Sequence, residues 1–237
     1  MKDIKTIAFD ADDTLWVNEP YFREAELQFA GLLEDYVSHH AASQELFKTE
    51  MERLSLYGYG VKGFMLCMIE TILRVTDHRA PAVMIQQAIN YGQDLLHRPI
   101  ELLDGVEEVL QALSGKYRLV VATKGDLLDQ ERKLNKSGLA HYFHHIEIMS
   151  DKKEKDYRKL LKHLDCAPAS FLMIGNSLKS DVMPVLDIGG HAFHIPYHTT
   201  WAHEEVSHEV TGDNLYTFED IRSILPKLLE ATTDTSH

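Results

Sequence analysis

Lys5-Thr-Ile-Ala-Phe-Asp10-Ala-Asp12-Asp13-Thr14-Leu-Trp16 sets three acids within four positions directly behind an apolar run. Ile7, Ala8 and Phe9 read as a buried β-strand, so the acids fall at its carboxyl end. Like charges packed this closely repel one another and destabilise a strand end unless something positive offsets them. The stretch therefore points to a cation, a phosphate-handling site, or both. In an extended segment side chains alternate, so Asp10 and Asp12 face one way and Asp13 the other.

Working outward, the residues from about Glu19 to His97 read as helices with few strand signals. Leu27, Ala30, Gly31, Leu32 and Leu33 give one stripe. Leu46, Met51, Leu54 and Leu56 give a second, for which Ser43 is the expected N-cap. Phe64, Met65, Met68, Ile69, Ile72 and Leu73 give a third, and Pro81 fits the first turn of a fourth. Beyond Pro99 the pattern changes. Strands are expected at Tyr117–Thr123, His145–Met149, Phe171–Ile174 and His191–Ile195, with helices between them and a last helix near Phe218–Leu229. Strands alternating with helices imply right-handed crossovers and a parallel sheet covered on both faces. The Ile4–Phe9 strand belongs to that sheet, which makes the first helical block an insertion. Ligands of such sheets bind beyond the carboxyl ends of the strands, and Asp10, Thr123, Lys152 and Gly175 all follow strand ends closely.

The 237 residues carry 24 Lys+Arg against 37 Asp+Glu, a net charge of −13. That balance argues against a nucleic-acid polymer as partner, because phosphate backbones demand a basic footprint. It leaves room for a small anionic substrate, since a metal or a few local cations reverse the sign inside one pocket. No apolar run approaches a membrane span, no signal-peptide pattern opens the chain, and Cys67 and Cys166 read as reduced thiols. The expectation is a cytoplasmic protein with no membrane partner and an oligomeric state the sequence does not give.

Two carboxylates on one face can divide a phosphoryl transfer between them. One stays ionised and attacks phosphorus; the other gives a proton to the leaving alkoxide and later takes one from water. Here the sequence resembles the haloacid dehalogenase-like hydrolase superfamily. FDADDTL is similar to that family's first motif, D-x-D-x-T. LVVAT, ending in Thr123, is similar to its second, SDKKEKDY supplies the lysine of its third, and FLMIGNSLKSD resembles its fourth, G-D-S-x-x-x-D. The resemblance implies an α/β fold: a Rossmann-like parallel sheet core from residues 1–15 and 97–237, with an inserted all-helical cap domain over 16–96 of the family's first cap type.

The same resemblance implies the roles. Asp10 is the nucleophile and a Mg²⁺ ligand; Asp12 is the acid/base and binds Mg²⁺ through its main-chain carbonyl. Thr123 donates to a phosphate oxygen. Lys152 is preferred to Lys153 as the neutralising lysine because its spacing to Tyr157 resembles S-E-K-x-x-x-x-Y. Asn176 and Asp181 complete the metal site. Asn176 stands where many relatives carry aspartate, and Asp13, in place of a common glycine, is expected to be structural. Lys124 is a further candidate for phosphate. Trp16 is read either as hinge packing or as a substrate wall, and Tyr59 and Lys62 as cap residues that could close over a substrate.

The implied activity is Mg²⁺-dependent hydrolysis of a small phosphorylated metabolite through an aspartyl-phosphate. The alternatives are a dehalogenase, a phosphonatase or a mutase on the same scaffold, or a non-catalytic phosphate-binding module. Asp12 argues against a dehalogenase, which needs no leaving-group acid. The 14 histidines, among them His191 and His194, lack a firm ligand geometry and read as ordinary surface or core residues.

Overall fold

A computed structural model describes residues 3–233 of the chain. Six parallel strands form one sheet in the order β3-β2-β1-β4-β5-β6. They are β1 (Thr6–Phe9), β2 (Arg118–Lys124), β3 (His145–Met149), β4 (Phe171–Gly175), β5 (His191–His194) and β6 (Leu215–Thr217). β1 lies at the centre, pairing with β2 through Ala8↔Val120 and with β4 through Ala8↔Met173. All four of its residues are buried, as a strand covered on both faces requires. The order reverses beside β1, so the chain's acidic stretch emerges at the topological switch point of a Rossmann-like sheet.

Contacts divide the chain into two compact units. The first takes Met1–Glu19, Ile100–Lys124 and Lys133–His237, and holds the sheet. Two clusters form its core. One gathers Ile7, Phe9, Leu15, Trp16, Val109, Leu119, Val121 and Phe193. The other gathers Ala8, Val120, Tyr157, Leu160, Phe171 and Met173. Alternate residues of β1 thus enter opposite clusters, which is the strand's two-residue period expressed as packing. Helix α5 (Val106–Leu113) buries Val106, Val109, Leu110 and Leu113, a single stripe. Gly105 precedes it at φ 83°, a left-handed conformation that glycine adopts without cost.

The second unit takes Pro20–Pro99 and Gly125–Arg132. It contains α1 (Glu19–Leu32, from its second residue), α2 (His39–Tyr57), α3 (Val61–Val75) and α4 (Ala82–His97). Phe29, Leu33, Leu46, Phe64, Cys67, Met68, Ile72 and Ala88 build its own core. Ser38 caps α2 by accepting the Ala41 N–H, and the helix already runs through Ser43, so the expected start is five residues late. Helix α6 (Leu127–Ser137) begins in this unit and ends in the first. The expected single insertion of 16–96 therefore lacks a second contribution, residues 125–132.

Two differences appear at the C-terminal side. β6 falls in a stretch where no strand was expected; it is a three-residue edge strand against β5, too short to show periodicity. The last helix is divided into a 3₁₀ turn, Ile221–Ile224, and an α-helix, Leu225–Thr233. Both cysteines are free thiols. Among the described residues no helix is long and apolar enough to cross a membrane.

Candidate active site

Asp10 follows β1, and its main-chain N–H donates to the Ile174 carbonyl at 2.9 Å, continuing the pairing with β4. The side chain is buried at the carboxyl edge. Lys152, three residues beyond β3 and 3% exposed, reaches across and donates its ammonium to Asp10 Oδ1 and, at 2.6 Å, to Asp181 Oδ1. Lys153 instead points outward and pairs with Asp151 at 2.7 Å. The structure brings Asp10, Lys152 and Asp181 into one buried cluster.

A single ammonium between two buried carboxylates leaves one negative charge uncompensated. Burial pushes the Asp10 carboxyl up to about 7; Lys152 pulls against this, while Asp181 and then Asp12 add to it. Burial would lower Lys152, but the two flanking carboxylates override it and hold the ammonium well above its usual range. Lys152 is therefore a fixed positive charge at neutral pH.

Asp181 lies on a π-helical turn, Leu178–Val182, a rare geometry that recurs at functional sites. Its Oδ2 accepts the Ser177 N–H at 3.0 Å. Gly175, the last residue of β4, makes that approach possible: a Cβ there would overlap the Asp181 carboxylate. Behind the cluster, Tyr157 is fully buried and donates to the Ser180 carbonyl at 2.9 Å, tying α7 (Glu154–His163) to the π turn.

Asn176 follows Gly175. Its Oδ1 and Asp10 Oδ2 both lie near the Thr14 hydroxyl, at 3.4 and 3.3 Å, and its carbonyl lies 3.0 Å from His194 Nε2. Two carboxylates and one amide oxygen form an all-oxygen donor set, the chemistry that suits Mg²⁺. Among the described residues no three His, Cys, Asp or Glu side chains gather as a metal cage, so a cation here would lean on neutral oxygens as well. A bound cation would draw the raised Asp10 carboxyl back to its ionised form, so the donor set fits such an ion.

Asp12 is placed differently from Asp10. Its Oδ1 accepts the Trp16 indole N–H at 2.7 Å and the Lys133 ammonium at 2.9 Å. Asp13 takes the left-handed conformation, φ 59°, and turns its carboxylate onto the main-chain N–H groups of Asn18 and Glu19, capping the entry to α1. Thr123 is buried on β2, with its hydroxyl 3.5 Å from the Lys124 carbonyl, a long contact.

Trp16, Lys124 and Lys62 have surroundings that the sequence does not show. Trp16 is 1% exposed and packs within the sheet's core, so it is no substrate wall. Lys124 donates to Ser180 Oγ at 2.8 Å and forms an ion pair with Glu204, whose charge already balances it. Lys62 pairs with Asp126 at 3.0 Å inside the helical unit, to which half-buried Tyr59 also belongs. Sequence reasoning missed Lys133 and Glu204. Lys133 sits in the polar run QERKLNK, which reads as a solvated helix face. Glu204 ends a three-residue 3₁₀ turn, Ala202–Glu204, too short to show periodicity.

Residues 4–188 match the family model described as haloacid dehalogenase-like hydrolase. The chain belongs to this family. A haloacid dehalogenase-like family hydrolase from Xanthomonas campestris, known from its crystal structure, is 37% identical to it. The alignment covers 98% of this chain and 95% of that one, with a TM-score of 0.84. The glyceraldehyde 3-phosphate phosphatase of Methanothermobacter thermautotrophicus is 22% identical over 228 residues, covering 93% of this chain and 98% of its own. A 2-haloacid dehalogenase from Pseudomonas syringae pv. Tomato shares the fold at 18% identity and TM-score 0.64, covering 96% of this chain and 98% of its own. This haloacid dehalogenase-like hydrolase thus resembles proteins whose names cover different reactions on one scaffold, and the choice between them rests on its own site.

Proposed function

We propose that this hydrolase is a Mg²⁺-dependent phosphatase of a small phosphorylated metabolite, working through an aspartyl-phosphate on Asp10. The observation that carries the reading is the pairing of two aspartates with unlike surroundings after one strand. Asp10 is buried against Lys152, while Asp12 is held by an indole and an ammonium.

Asp10 attacks phosphorus, forming a P–O bond to its carboxylate as the bond to the substrate's ester oxygen breaks. Asp12 gives the leaving alkoxide a proton. Water then attacks the phosphorus of the acyl phosphate; Asp12 takes the proton back, and Asp10 is released with inorganic phosphate. Lys152 holds positive charge beside the nucleophile throughout. Thr123 donates its hydroxyl to a phosphate oxygen. Asp10, Asp181, Asn176 and the Asp12 carbonyl would hold Mg²⁺, which supplies charge for binding and stabilising the transferring phosphoryl group. A phosphatase needs the leaving-group acid that Asp12 provides, and the likeness to a glyceraldehyde 3-phosphate phosphatase of nearly equal length supports the same choice. The helical unit, including Tyr59 and Lys62, serves as a cap that selects the substrate, and the reaction belongs in the cytoplasm.

The test is hydrolysis of p-nitrophenyl phosphate and of a panel of sugar, nucleotide and organic-acid phosphates, with and without Mg²⁺. Turnover should require the metal and fall at least ~10³-fold in Asp10→Asn, the scale of losing a covalent nucleophile. Halide release from a 2-haloacid, lost in Asp10→Asn and unaccompanied by phosphatase activity, would move the protein to the dehalogenases.

A further inference from the structure

The proposed mechanism assigns no task to Lys133, yet this side chain is directed at its acid/base. Lys133 stands on α6, 121 residues from Asp12, and donates to Asp12 Oδ1 at 2.9 Å and to Asn18 Oδ1 at 2.8 Å. Its side chain is 13% exposed, against 25% for that of Asp12, so the pair is largely withdrawn from water. A screened surface ion pair contributes little. A half-buried one that shares its acceptor atom with an indole N–H fixes geometry.

We propose that Lys133 is a positioning residue for phosphoryl transfer: with Trp16 it locks the Asp12 carboxyl in one orientation, so that the other oxygen, Oδ2, faces the leaving group. This rests on the proposed role of Asp12 as acid/base. Trp16 Nε1 and Lys133 Nζ converge on the same atom, Oδ1, at 2.7 and 2.9 Å. Two donors engage both lone pairs of Oδ1, so a proton exchanged with substrate or water passes through Oδ2. The indole N–H belongs to a buried, core-packed ring, which gives one fixed direction. The ammonium gives a second. One hydrogen bond would leave the carboxyl free to rotate about it; two from different elements do not.

Asn18 gives the lysine its own anchor. Asp13 accepts the Asn18 N–H at 2.9 Å, and Lys133 accepts nothing but donates to the Asn18 amide oxygen, so the turn between β1 and α1 is held from both sides. A purely structural lysine at this turn would stabilise the fold and affect every substrate alike. A positioning lysine has another signature. Misplacing a catalytic group by about 1 Å costs up to ~10²-fold. The loss concentrates where the proton matters, on alkoxide leaving groups rather than on p-nitrophenolate.

The experiment compares Lys133→Met and Lys133→Arg with the wild-type enzyme under saturating Mg²⁺. The readout is kcat/KM, which reports steps through leaving-group departure, for p-nitrophenyl phosphate and for the best alkyl phosphate found in the panel. Lys133→Met should lower kcat/KM for the alkyl phosphate by roughly 10- to 100-fold and for p-nitrophenyl phosphate by less than about 3-fold. Lys133→Arg should recover most of the difference. Equal losses for both substrates, or no loss for either, would overturn the positioning role. The underlying phosphatase reading is judged separately, by whether wild-type turnover requires Asp10. If Lys133→Met fails to fold, Lys133→Gln with the same pair of substrates decides the matter by the same ratio.

Discussion

Two carboxylates sealed from water around one ammonium are costly to assemble and costlier to break. Lys152 touches both Asp10 and Asp181, each within its hydrogen-bonding range and all three buried. Removing one member of such a group leaves uncompensated buried charge, which typically costs 3–5 kcal/mol. Lys152→Met should therefore abolish turnover and also lower the urea unfolding midpoint by that order of free energy; an inactive variant of unchanged stability would contradict the buried triad. Glu204 makes a complementary case on the acid side. Burial opposes its charge, but the Lys124 ammonium and hydrogen bonds from Lys124, Ser177 and Ser180 hold its carboxyl down to about 2 from an ordinary 4.5. A depressed carboxyl contributes stability that is present above about pH 4.5 and is lost as pH falls through 2. Glu204→Gln should flatten stability against pH across that window, removing on the order of 3 kcal/mol at neutral pH. A variant whose acid unfolding curve overlays the wild type would contradict the network. Of these residues, Asp10, Lys152 and Asp181 were legible because each follows a strand end within a recognisable motif. Glu204 was not, since its partners come from β2 and the π turn and no local pattern announces them.

At the scale of elements, the site depends on how strands end. Gly175 closes β4 without a side chain, and the π-helical turn then sets Asp181 against the place a Cβ would occupy. Gly175→Ala has to push the Asp181 carboxylate aside and with it the bridge to Lys152. The variant should retain the sheet, judged by its far-ultraviolet circular dichroism, while losing at least ~10²-fold in kcat/KM, the scale expected for a displaced site group. Full activity in Gly175→Ala would mean that the close approach is dispensable. Strand ends were readable from sequence because β1, β2 and β4 are apolar runs bounded by polar residues. α2 is capped at Ser38 rather than Ser43 because the main-chain path turns the Ala41 N–H onto the Ser38 hydroxyl, a contact that no local pattern announces. β6 is hidden for a different reason: two half-buried residues and one exposed residue at a sheet edge have no period to detect.

For the whole molecule, the alternation of strands and helices determined the parallel sheet, and right-handed crossovers left few topologies to consider. What sequence could not supply was the second contribution to the helical unit from 125–132, because membership in a compact unit depends on contacts rather than on local pattern. The molecule's charge of −13 sharpens the chemical question. On the proposed reading the substrate is anionic, so an acidic protein has to gather positive charge locally, and here Lys152, Lys124 and Lys133 each already face an acid. A divalent cation among Asp10, Asn176 and Asp181 is the simplest remedy, and chelation should leave the fold intact while stopping turnover.

The central claim is that the first aspartate after β1 becomes bonded to phosphorus during every catalytic cycle. Acid quenching of the enzyme during turnover of a phosphomonoester, followed by peptide mass analysis, tests this directly. The account predicts one added phosphoryl group on Asp10, released by hydroxylamine and missing in Asp10→Asn. Sustained turnover by Asp10→Asn, or a phosphoryl group trapped on a different residue, would contradict it.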